Sequence, residues 1–126
     1  MIIKFSKDEL KAVTHLAMLM IAVDGKIEEV EKFILFSQVL NEVGNVDDVE
    51  SIIEESEKFD LLKAIEIVKK FSYTDKYYVA AYLGFLIASD GNIDNREMEL
   101  WQLITKACDL PTMSVDDAIN FLQTNN

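Results

Sequence analysis

Six carboxylates stand out by residue type and spacing. "DGKIEEVE", residues 24 to 31, returns sixty-six positions later as "DGNIDNRE", residues 90 to 97, so the pattern D-G-x-I-x-x-x-E is written twice. Asp24, Glu28 and Glu31 in the first copy, and Asp90, Asp94 and Glu97 in the second, are candidate ligands for a hard divalent cation. Calcium and magnesium take carboxylate and carbonyl oxygens, and these residue types supply them.

The spacing is that of the second half of a calcium-binding EF-hand loop, from its fifth position to its twelfth. The backbone carbonyls of Lys26 and Asn92 would be further donors. Positions one and three of such a loop fall on Met20 and Ala22, and on Leu86 and Ala88, which carry no side-chain oxygen. Because calcium seeks about six to eight oxygens, either half-loop alone should bind weakly. Two corners brought together by symmetry could share one ion.

The same residues also make sense as corners alone. Gly25 and Gly91 can adopt the left-handed conformation that stops a helix, and Ile27 and Ile93 are expected to tuck into the core. Asp94 suits a helix N-cap, with Glu97 three positions on to reach back to the cap's own N–H; Glu28 and Glu31 imitate this less well. Asp24 and Asp90 remain over. A carboxylate where a helix ends faces the negative pole, at a cost of about 0.3 to 1 kcal/mol. Its repetition implies a compensation, either backbone N–H groups of the following turn or a cation.

Little other chemistry is on offer. His15 is the only histidine and Cys108 the only cysteine, too few for a usual zinc site. His15 lies inside an apolar helical stretch, where a packed role is expected, and Cys108 ends an amphipathic pattern as a buried structural thiol. No nucleophile–base spacing and no Gly-rich phosphate loop appear, so enzyme activity is not expected. With 23 acidic against 12 basic residues, the net charge is −11, which argues against nucleic acid, because binding to phosphate backbones rests on Lys and Arg. Residues 42 to 60 concentrate the acid, with Lys58 their single base; such a run reads as a solvated helix face, with a basic partner or loosely held cations as the alternative.

The elements that must position these residues are helical. One proline and four glycines interrupt little, and strand-like alternation is confined to the opening "MIIKF". The first helix should start at Ser6, where "SKDE" has the form of a capping box, and run to about Val23. The second should span Glu28 to Val43, with Val30, Phe33, Ile34, Val39 and Leu40 on one stripe and Gly44 as its stop. Asp47 or Asp48 should cap a third, "VESIIEESEKF". The fourth, "DLLKAIEIVKKF", carries Leu61, Leu62, Ile65, Val68 and Lys69 at helical spacing. The fifth should run from about Asp75 to Ser89, burying Val79, Leu83, Leu86 and Ile87. In it Tyr77, Tyr78 and Tyr82 with Phe85 form an aromatic stripe, read as core, with a groove for a partner helix as the alternative. The sixth should run from Asp94 to about Cys108 with Met98, Trp101, Leu103 and Ile104 inward, and a short seventh follows from Ser114.

Neither "LAMLMIAV" nor "VAAYLGFLIA" approaches the roughly 20 apolar residues of a membrane span, and the N-terminus lacks the form of a signal peptide. A cytoplasmic location is expected. Aligning Asp24 with Asp90 gives seven identities in nineteen positions, at Val13, Ile21, Ala22, Asp24, Gly25, Ile27 and Glu31. Each half is an apolar helix, a tight corner and an amphipathic helix, a unit unable to bury its apolar face alone. The expected fold is therefore all-α: a single domain over residues 1 to 126, a bundle of about seven helices with an internal pseudo-two-fold repeat, its halves about 7 to 44 and 73 to 110.

In this layout (an apolar helix ending in Asp-Gly, an Ile two positions on, a Glu four beyond, and a second copy later) residues 7 to 110 resemble the TerB-like family. That family is named for a bacterial tellurite-resistance protein and is similar to the N-terminal domain of a membrane-anchored J-domain co-chaperone. The resemblance implies an all-helical bundle with internal two-fold symmetry and a cytoplasmic bacterial protein of the stress-response type, with a protein partner at or near the membrane. It implies a divalent cation, calcium or magnesium, held by Asp24, Glu28 and Glu31 with Asp90, Asp94 and Glu97. The alternative is an interaction or adaptor module with purely structural corners.

Overall fold

A computed structural model describes residues 5–23, 29–89, 91 and 93–124. They form seven helices: α1 Lys7–Ala22, α2 Glu29–Val43, α3 Val46–Glu57, α4 Leu61–Lys69, α5 Tyr73–Ala88, α6 Asn95–Ala107 and α7 Val115–Thr124. No strand occurs among the described residues, and the chain is an all-α single domain. None of these helices is long and apolar enough to cross a membrane.

Local chemistry sets most of the boundaries. Ser6 opens α1 with a reciprocal capping box: its Oγ accepts the Glu9 N–H at 3.2 Å, and Glu9 Oε1 accepts the Ser6 N–H at 2.8 Å. Gly44, at φ +86°, stops α2. The cap of α3 is Asn45 rather than Asp47 or Asp48. Its Oδ1 accepts the Asp48 N–H at 2.9 Å and its Nδ2 donates to Asp48 Oδ2 at 2.7 Å, so Asp48 serves as the cap's partner. Ser72 starts α5 two residues earlier than the stretch from Asp75 suggested, because its Oγ reaches the Asp75 N–H at 3.2 Å.

The core is built around α1 and α5. Leu16 and Met20 from α1 and Leu83, Leu86 and Ile87 from α5 are fully enclosed. Every residue from Tyr78 to Gly84 is buried, the mark of a helix covered on all sides. α5 packs on α1, α6 and α7, and α1 also packs on α2, α3 and α4. Gly84 permits a close approach of α6 and α7 to α5: a Cβ there would lie 2.6 Å from the Trp101 ring and 2.9 Å from the Ala118 Cβ.

The fold carries the repeat at the same sixty-six-residue offset. α1 and α5 span equivalent residues, and α2 and α6 start at equivalent residues. Buried Val13, Ala17, Met20 and Ile21 match buried Val79, Leu83, Leu86 and Ile87. The repeat also reaches further than the two-helix halves read from the sequence, because buried Ile52 and Ser56 of α3 match buried Ala118 and Leu122 of α7. Phe5 and Phe71, themselves equivalent, stack on each other with centroids 5.3 Å apart and planes 18° from parallel. α4 connects the two halves.

Symmetry fails where side chains differ. In the first half Leu10, Val39, Val49 and Ile52 form a second small core, joined by Phe36, Leu40 and Val43. Their equivalents include Lys76, Thr105, Gln102, Lys106 and Asp109, too polar for a matching cluster.

Several residues expected inside are exposed. Phe33 is 70 % and Leu103 64 % accessible, and Leu61 and Leu62 also face solvent. Each of these helices contacts its neighbours along a narrow stripe: Glu31, Leu35 and Val39 in α2, Glu97, Trp101 and Ile104 in α6, Ala64 and Val68 in α4. A residue two positions from a stripe member lies about 200° around the helix. Phe33, Leu62 and Leu103 occupy that position.

Candidate functional site

Of the six candidate ligands, Asp24, Glu28 and Asp90 lie outside the described residues, as do Gly25, Ile27, Lys26 and Asn92. Whether the two corners adjoin and share an ion therefore rests on residues outside that set. Glu31, Asp94 and Glu97 are described, and their surroundings are informative.

The second corner is assembled from short-range chemistry. α5 closes with the Ser89 hydroxyl donating to the Leu86 carbonyl at 2.8 Å, and Gly91 takes φ +79°, the left-handed turn expected of it. Ile93 does not tuck into the core; it is 54 % accessible, because the turn places it just before the cap of α6, beyond reach of the buried stripe. Asp94 caps α6 as expected, its Oδ1 accepting the Arg96 N–H at 2.7 Å, with Arg96 Nε 3.7 Å away.

Glu31 and Glu97 are 3 % and 4 % accessible, both buried acids. They are equivalent in the repeat, each the third residue of its helix. A carboxylate near a helix N-terminus gains about 0.3 to 1 kcal/mol from the helix field, and up to roughly 2 when partly buried. Withdrawing it from water costs several kcal/mol. The helix field alone does not offset that, so the remainder comes from the groups that each carboxylate meets. Both side chains take part in interactions within the fold. Among the described residues no three His, Cys, Asp or Glu side chains converge as a metal site. A complete ligand set would need the neighbouring carboxylates of each corner. The donors present are all oxygen, which suits a hard cation and not zinc.

The remaining reactive groups are structural. Cys108 is fully enclosed, and burial pushes its thiol up to about 11, far from a nucleophile's range. His15 Nδ1 lies 2.8 Å from the Ser56 carbonyl, and its ring packs against Phe59, tying α1 to α3. The aromatic stripe divides. Tyr78 and Tyr82 are buried and stacked in the core, with centroids 6.3 Å apart, whereas half-buried Tyr77 meets Phe121 edge-on at 4.8 Å. Burial holds both core phenols well above their ordinary ionisation range, and the Tyr82 hydroxyl is enclosed without a hydrogen-bond partner. The acidic run is a solvated face, with Asp47, Asp48, Glu50, Glu54, Glu57 and Asp60 exposed. Glu55, also exposed, is held below the usual carboxylate range by its hydrogen bond and 2.9 Å ion pair with Lys11.

No sequence signal announced that Glu31 and Glu97 would be buried. Spacing picks both out as ligands, and only their identity at the repeat offset hints at a shared environment. The dipeptide Phe-Ser recurs at residues 5–6 and 71–72, a further sequence identity at the same offset.

No protein-family model matches the chain, and no curated protein matches it. It is similar to PG1108 of Porphyromonas gingivalis W83, a protein of unknown function whose crystal structure has been solved. The two are 36 % identical over 98 % of this chain and 99 % of that one, with a TM-score of 0.84.

Proposed function

This chain belongs to the family of the Porphyromonas gingivalis protein of unknown function, and we propose that it is a non-enzymatic, TerB-like module that binds a divalent cation at its duplicated corners. The observation that carries this reading is the burial of Glu31 and Glu97, the same residue at the same place in both halves. A carboxylate withdrawn from water at the same place in both halves suits a hard cation, and Gly91 with the Asp94 cap turns the second corner. Calcium or magnesium would be held by Glu31 with Asp24 and Glu28, and by Glu97 with Asp90 and Asp94. Bound there, the ion would supply charge compensation and rigidity rather than chemistry. The enclosed Cys108 and the carbonyl-bound His15 favour a binding role over catalysis. A cytoplasmic, stress-response role beside a membrane-associated partner accords with the TerB-like resemblance.

Calorimetric titration of calcium, magnesium and manganese into chelator-treated protein tests this. Binding heat and a thermal shift are expected, both abolished in the Glu31→Gln, Glu97→Gln double variant with its helical content unchanged. A hundredfold excess over Kd raises stability by about 2.7 kcal/mol. No heat and no shift at millimolar metal removes the proposal.

A second reading, an adaptor with structural corners, draws on the exposed Phe33, Leu62 and Leu103. It is favoured if partner capture survives Asp24→Asn combined with Asp90→Asn.

A further inference from the structure

We draw no further inference here: the strongest candidate, the exposed apolar surface at Leu103 on the outer side of α6, is an unpartnered helix face, and nothing in the structure shows what covers it.

Discussion

Replacing Gly84 by alanine probes the packing on which the second half depends. The added Cβ would stand 2.6 and 2.8 Å from Cζ2 and Cη2 of Trp101 and 2.9 Å from the Ala118 Cβ. Ordinary carbon contacts begin near 3.5 Å, so α6 and α7 must each retreat from α5 by somewhat under 1 Å. Trp101 has little freedom to do so, because it is buried and its Nε1–H donates to the Ala80 carbonyl at 3.1 Å. Overpacking of this kind costs about 1 to 3 kcal/mol, against which alanine regains up to about 1 kcal/mol of helix propensity. Because two helices are displaced, the cost falls in the upper part of that range, and the expected net loss is about 1 to 2 kcal/mol. For 126 residues, an unfolding entropy of about 2.1 cal/mol/K per residue converts this to a fall in Tm of roughly 4 to 8 °C. Thermal and urea unfolding followed by circular dichroism measure it. A double-mutant cycle with Trp101→Phe, which removes the two clashing ring atoms, should recover part of the loss as coupling. A Gly84→Ala variant as stable as the parent, or one showing no coupling to Trp101, would refute the close-approach argument.

Other outcomes follow from single groups. Tyr82→Phe removes an enclosed hydroxyl that has no hydrogen-bond partner and should raise stability by about 1 kcal/mol; a loss of that size in urea unfolding would mean that the hydroxyl is satisfied after all. Asp109 closes α6 in the left-handed region at φ +57°, with the Leu110 N–H reaching the Thr105 carbonyl at 2.8 Å. Asp109→Gly should therefore stabilise by roughly 0.5 kcal/mol despite losing the 3.5 Å ion pair that exposed Asp109 makes with largely buried Lys76, since glycine suits that position and a pair with one partner in water contributes little. Tyr78, Tyr82 and Cys108 all have folded values raised above their unfolded ones. Their contribution is thus complete at neutral pH and lost as pH rises, for the thiol between about 9 and 11. Tm should fall progressively above pH 9, and Cys108 should resist thiol reagents until the protein unfolds; prompt labelling of the native protein would contradict its enclosure.

The seven helices, their order and most of their ends were legible in the chain because caps, stops and apolar periodicity act within a few residues. The capping box at Ser6, the stop at Gly44, the left-handed Gly91 and the Asp94 cap depend only on neighbours in sequence. The duplication was legible too, as identity at a constant offset. Which side of an amphipathic helix finds a partner is a different matter. Phe33, Leu103 and Ile93 are as apolar as the residues beside them, and only the placement of the other helices leaves them in solvent. The same placement encloses Glu31 and Glu97 while Glu50 and Glu54, identical in composition, face water. Burial depends on contacts among residues far apart in the chain, and it is burial that separates a surface carboxylate from one demanding a partner.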